Sequence, residues 1–252
     1  GLRDPYAAYC LDEAIADWPA DQRTRAARTG CLIAVGGTGR GELAPYSDVD
    51  LLFLDAGGSD AAFRDAASRM TQQCWNARLE LGHSIRTLRE CLQLARQDAQ
   101  IATALTEARP LWGNEELCHQ LQRRFRSQVI RPRLRSFIEM CIRAREEDLG
   151  DRKPTALELQ PDVKTSVGGL RDLHLIRWIA FALYGVGTMD SLRLQGALPP
   201  DDIRRLRSAH EYLTRIRLKL HFAAGRAQDV LTRDEQLRLA REGGYAGTTA
   251  QS

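Results

Sequence analysis

The chain has no apolar run near the roughly 20 residues that a membrane-spanning helix needs, and no basic segment followed by an apolar one stands at its start. A membrane partner and export are therefore not expected. Its six cysteines, Cys10, Cys31, Cys74, Cys91, Cys118 and Cys141, include no C-x-x-C pair and several are set in apolar patterns, which suits a reducing cytoplasm. Charge of one sign is also missing. With 36 basic and 33 acidic residues the net charge is +3, too mild to argue for a nucleic-acid partner, and the arginine clusters at 123–124, 131–135 and 204–207 read as solvated helix faces. Internal repeats and low-complexity tracts are absent. Two common phosphate motifs are absent as well: residues 37–41 lack the G-x-G-x-x-G spacing of a dinucleotide fold, and no Gly-Lys-Ser/Thr follows to make a P-loop.

What is present is a soluble, globular composition, 43% hydrophobic over 252 residues, enough for one large domain or two small ones. Its most informative stretch is residues 31–54, CLIAVGGTGRGELAPYSDVDLLFL. A short apolar run at 31–35 ends at Gly36-Gly37 and reads as a buried strand stopping at a turn where backbone can approach a ligand. Residues 38–43 can form a helical turn whose free N–H groups make an anion site. Past Pro45 the chain reads as a second strand over 48–54, and its two-residue period puts Asp48 and Asp50 on one face. Two adjacent carboxylates repel unless a cation compensates them, and hard oxygen ligands beside a phosphate-binding turn suit Mg²⁺. This stretch reads as a nucleotidyl-transfer site.

The remaining pattern supplies a scaffold. Helical spacing over residues 2–27 at Ala7, Leu11, Ala14, Ile15 and Trp18, ended by Pro19, predicts a leading helix. Ser59-Asp60 can cap a helix over 61–77 that turns Phe63, Ala66, Ala67, Met70 and Cys74 to the core. A strand is expected over 79–86, where His83 reads as a packing or supporting residue rather than a ligand. Thr87-Leu88-Arg89-Glu90 is a capping box, and from there the chain reads as almost wholly helical, over 88–96, 99–107, 115–129, 132–149, 170–184 and 201–224. Another capping box, at 232–235, starts a short helix ending at Gly243-Gly244. Gly168-Gly169 opens the 170–184 helix, with Lys164 before it and Arg171 just inside; this is either a triphosphate or ribose grip or a plain cap with surface charges.

The Gly-Gly, spacer, Asp-x-Asp order resembles the DNA polymerase beta-like nucleotidyltransferase superfamily. Residues 36–43 (GGTGRGEL), 79–87 (LELGHSIRT) and 159–174 (LQPDVKTSVGGLRDLH) narrow this, because they resemble, in order, the N-terminal part of the bacterial PII protein uridylyltransferases. Thr38, Gln160 and Val167 depart from that family's usual residues without removing a metal ligand. The resemblance implies an α/β (α+β) fold. A small mixed-sheet nucleotidyltransferase domain at 30–87 follows a leading helical segment at 1–29, and a helical nucleotide-covering domain at 88–252 comes after it.

It implies transfer of UMP from UTP to a tyrosine hydroxyl of the PII signalling protein, with Asp48 and Asp50 holding Mg²⁺. Glu80, the only acid on the 79–86 strand, would be a third ligand or base. Gly36 and Gly37 would bring amides to the β and γ phosphates, Arg40 and Ser47 would contact phosphate oxygens, and Lys164, Gly168, Gly169 and Arg171 would grip the triphosphate or sugar. Asp229, Gln236 and Tyr245 also stand where the family keeps similar residues. The family is several times longer and carries a phosphohydrolase domain and ligand-sensing domains. No His-Asp dipeptide represents the hydrolase here, so an excised fragment is expected. Two alternatives stay open: a protein nucleotidyltransferase using another nucleotide or acceptor, and a nucleotide-sensing or docking module without turnover.

Overall fold

The computed structural model describes residues 4–58, 60–79, 81–150 and 158–244. The chain divides into two compact units, one of residues 1–43, 47–144 and 178–187, the other of residues 44–46, 145–177 and 188–252.

The first unit is built on a four-stranded mixed sheet. Its strands β1 (Gly30–Ala34), β2 (Val49–Asp55), β3 (Leu81–Thr87) and β4 (Arg109–Gly113) lie in the order β3-β2-β1-β4. β1 is antiparallel to β2 and β4, and β2 is parallel to β3, with Asp50 opposite Gly82. One face is covered by α1 (Asp4–Ala14), α2 (Ala20–Thr29) and α4 (Ala62–Asn76), which close a core of Leu11, Leu32, Leu51, Phe53, Phe63 and Met70 among others. All five α4 positions expected in the core are buried. The helix starts where Asp60 Oδ1 accepts the Ala62 N–H at 2.9 Å; the other expected cap, Ser59, lies outside the described residues. Beyond β3 the chain forms α5 (Leu88–Leu94), α6 (Ala99–Thr106) and α7 (Glu115–Arg124), of which α5 packs on β3 and α7 on β1 and β4. The capping box is formed in full: Thr87 accepts the Glu90 N–H, and the Glu90 carboxylate accepts the Thr87 N–H at 2.7 Å.

Three features differ from the sequence reading. The leading segment is two helices: the first stops at Ala14, a turn follows, and Pro19 serves as N-cap of the second. The region after residue 87 is not all helix, since β4 adds a fourth strand. Its sequence RPLWG is too short to show alternation, and its proline is tolerated because β4 is an edge strand whose register shifts at Ile33–Pro110. The helix expected over 115–129 relaxes after Arg124 into a π-helical stretch, Phe125–Ile130.

In the second unit α9 (Leu170–Tyr184) begins where the glycine pair predicted, α10 (Met189–Leu194) is an added short helix, and α11 (Pro200–Ala224) and α12 (Arg233–Glu242) follow. Of α9 only residues 170–177 belong to this unit, and of α8 (Leu134–Leu149) only its end, residues 145–149. Within α11, Leu206, Leu213, Ile216 and Leu220 stand in near-heptad register; Leu220 is buried, as is Ile203, while the other three are half-buried. Thr232 accepts the Glu235 N–H, but the Glu235 carboxylate pairs with Arg238, leaving that capping box half made. Among the described residues no helix is long and apolar enough to cross a membrane.

Candidate active site

The glycine turn follows β1 directly. α3 (Gly36–Arg40) begins two residues earlier than expected, and Gly36 takes φ +52°, a left-handed conformation that side chains resist. Asp50 lies beside it on β2. A Cβ on Gly36 would come within 3.0 Å of Asp50 Oδ2, and one on Gly82 of β3 would come within 2.8 Å of Asp50 Oδ1. The carboxylate therefore occupies a cradle that exists because both flanking positions are glycine. Its backbone is fixed as well: the Asp50 N–H donates to Thr38 Oγ1 at 2.8 Å, and the Asp50 carbonyl accepts the Val35 N–H at 3.2 Å.

Asp48 stands one residue before β2, exposed, and shares with Gly82 the wall of a cavity of about 590 Å³. The two acids thus flank one glycine. Among the described residues no group of three or more His, Cys, Asp or Glu side chains could hold a metal, and Glu80 lies outside them. Two oxygen-donor carboxylates on adjacent positions, one held in a glycine cradle beside a phosphate-sized turn, fit Mg²⁺. That ion takes one or two carboxylates and fills its octahedron with water and substrate phosphates.

Arg40 Nε donates to Glu42 Oε2 at 2.7 Å, and its Nη1 is 3.9 Å from Glu107 Oε1, with the side chain almost buried. Its charge is thus shared with two acids at the end of α3. Gly37 sits in the first turn of α3, where its carbonyl accepts the Glu42 N–H, and half-buried Ser47 directly precedes Asp48. Two residues that the sequence reading did not assign to the site hold this geometry. Thr38, buried, fixes the Asp50 backbone, and Arg109 of β4 donates to the carbonyls of Thr38 and Gly39 at 3.2 Å each. Only β4, which the sequence did not reveal, would have pointed to Arg109.

The second unit carries the other predicted residues. Asp162 Oδ1 accepts the N–H groups of Lys164 and Thr165, Gly168 takes φ +78°, and Gly169 fits against the carbonyls of Ser166, Val163 and Lys164 at 2.8–3.1 Å from its missing Cβ. Arg171 pairs with Asp148 at 3.1 Å. Burial pushes the Lys164 pKa down, and the Arg217 and Arg171 charges push it further. Asp229 accepts from Arg217 Nε at 2.7 Å and lies 3.0 Å from His221 Nε2, while Gln236 Nε2 donates to the carbonyls of Leu159 and Leu231. Tyr245 lies outside the described residues.

Comparison with known proteins bears on this arrangement. The family described as GlnD PII-uridylyltransferase matches residues 136–252. A bifunctional uridylyltransferase/uridylyl-removing enzyme of Ruegeria pomeroyi is 40% identical over 217 residues, covering 85% of this chain and 24% of the relative. Proteins of the same name from Aliivibrio fischeri (36% over 216 residues; 86% and 25%) and Burkholderia vietnamiensis (37% over 223 residues; 88% and 26%) are similar. The chain spans about a quarter of the length of these relatives. Most of its length therefore aligns with one portion of such enzymes, and residues 136–252 match the PII-uridylyltransferase family.

Proposed function

We propose that this chain carries the nucleotidyl-transfer centre of a protein uridylyltransferase and moves UMP from UTP to a tyrosine hydroxyl of a PII protein. The observation that carries the reading is the Asp50 carboxylate cradled between Gly36 of the glycine turn and Gly82 of β3, with Asp48 beside it. The phenolic oxygen attacks the α-phosphorus, an O–P bond forms, the α–β bridging P–O bond breaks, and pyrophosphate leaves; the phenol's proton passes to a base or to water. Gly36 and Gly37 let backbone approach the β and γ phosphates, and Ser47 is at hand for a phosphate oxygen. Arg40, already shared between Glu42 and Glu107, holds the end of α3 and adds positive field there. Lys164, Gly168, Gly169 and Arg171 are assigned to the triphosphate or sugar on the resemblance of residues 159–174 to the family. Asp48 and Asp50 would hold Mg²⁺, which when bound offsets the charge on the phosphates and activates the attacking hydroxyl. Glu80 keeps its proposed place as third acid.

The test is incubation with α-labelled UTP, Mg²⁺ and PII protein, with labelled ATP in a parallel arm, followed by locating the label. Asp50→Asn should lower transfer by about 10³-fold or more, the scale of losing a principal electrostatic element, while the thermal unfolding curve stays near that of the parent. Near-normal transfer by that variant removes the metal assignment. Label from ATP and not UTP overturns the base assignment.

A further inference from the structure

The surroundings of Asp50 are asymmetric. On the β1 side it meets Gly36 and the turn assigned to the leaving phosphates; on the β3 side it meets Gly82, and beyond Gly82 the cavity of about 590 Å³ opens. That volume falls in the range of about 300–1,000 Å³ usual for small-ligand sites. Its walls come from the end of α4 and the start of β3, with Asp48, Trp75, Arg78 and His83 among them. β3 is an edge strand, paired among the described residues only to β2. Trp75 is 76% exposed, an unusual setting for the largest apolar side chain, and Leu79 beside it is 44% exposed.

Arg78 is built in against a backbone cost. Its N–H donates to the Trp75 carbonyl at 2.8 Å and the Leu79 N–H to the Cys74 carbonyl at 2.9 Å, the two bonds that close a helix in a left-handed residue. Glycine is the usual occupant. Arg78, at φ +56°, is the one non-glycine residue with positive φ among those described. A side chain retained where glycine would be less strained points to use of that side chain.

We propose that this cavity is the acceptor site and receives the tyrosine-bearing segment of the PII protein, a conclusion that rests on the uridylyl-transfer reading above. In phosphoryl transfer the attacking and leaving oxygens lie roughly in line on opposite sides of phosphorus. With the leaving pyrophosphate on the Gly36 side of Asp50, the tyrosine oxygen arrives from the Gly82 side, where the cavity is. Trp75 offers a face for the phenol ring, Arg78 a fork for carbonyl or carboxylate oxygens of the incoming segment, and the free edge of β3 main-chain partners for an extended strand.

Two variants separate this role from folding. Trp75→Ala removes an exposed ring, and Arg78→Gly installs the residue that the left-handed position favours, so both should keep the thermal stability of the parent. Affinity for fluorescently labelled PII, read by anisotropy, should weaken about tenfold or more in each, as for loss of a central aromatic or arginine anchor, while UTP affinity read by calorimetry with Mg²⁺ stays within about twofold. PII binding by the parent together with PII binding within about twofold by both variants overturns the acceptor cavity and leaves the uridylyl reading standing. Failure of the parent to bind PII at all overturns both.

Discussion

At the residue scale the site depends on what two glycines leave out. Gly36 and Gly37 are adjacent in sequence but unequal in structure. Gly36 has positive φ and its missing Cβ would press on Asp50 Oδ2 at 3.0 Å, whereas a Cβ on Gly37 would meet nothing closer than 3.8 Å. Gly36→Ala should therefore cost about 1–2 kcal/mol in a urea titration and displace the carboxylate, lowering UMP transfer by about tenfold or more. Gly37→Ala should leave stability within about 0.5 kcal/mol, so any loss of transfer there reports on phosphate approach alone. Equal stability losses in the two variants would contradict the cradle. The glycine pair and the Asp-x-Asp period were legible in sequence because strand alternation and turn chemistry are local. The parts played by Thr38, Arg109 and Arg78 were not, because each depends on a tertiary neighbour or on a backbone angle that residue type does not announce.

At the element scale the glycine-pair loop of the second unit is held by one buried arginine. Arg145, in the last turns of α8, donates from Nε to Asp172 at 2.5 Å and from its two Nη atoms to the carbonyls of Thr165 at 2.9 Å and Ser166 at 3.1 Å, and Asp172 in turn accepts the Gly168 N–H at 2.6 Å. One planar fork thus sets the loop that precedes α9. Arg145→Leu leaves an acid and two carbonyls without that donor and should lower stability by about 3–5 kcal/mol, measured by thermal melting followed in the far ultraviolet. A lysine there reaches the acid but cannot span both carbonyls, so Arg145→Lys should recover only part of the loss. A loss below about 1 kcal/mol in Arg145→Leu would show the loop to be held otherwise. Elements with strong local signals, such as α4 with its apolar face, α9 after its glycines and α5 behind its capping box, stand where the sequence placed them within a few residues. β4 and α2 did not announce themselves. The first is completed by the open edge of β1, and the second is an arginine-rich helix that buries only Ala26.

At the scale of the whole molecule, the two units carry different reporters and different acid sensitivity. All four tryptophans, Trp18, Trp75, Trp112 and Trp178, and all six cysteines fall in the first unit. Burial pushes the Cys31, Cys91, Cys118 and Cys141 thiols up to about 12, so these four should stay unreactive toward a thiol reagent near neutral pH until that unit opens. Asp229 of the second unit is half-buried. Burial pushes the Asp229 carboxyl up, but hydrogen bonds from Arg217 and His221 outweigh it and hold its pKa below the ordinary value. A carboxyl that is more acidic folded than unfolded adds stability in full above its unfolded pKa, about 3.9, and that stability is lost as pH falls through the folded value. Of the lowered acids of the first unit, Asp17 and Glu116 lie in exposed ion pairs that solvent screens, and Glu90 lies in the exposed capping box with Thr87. Acidification below about pH 4 should therefore reduce far-ultraviolet helical signal before tryptophan fluorescence shifts. Asp229→Asn should remove that early phase, since it deletes the titrating group. Coincident change of both signals in the parent would show that Asp229 does not set the acid response.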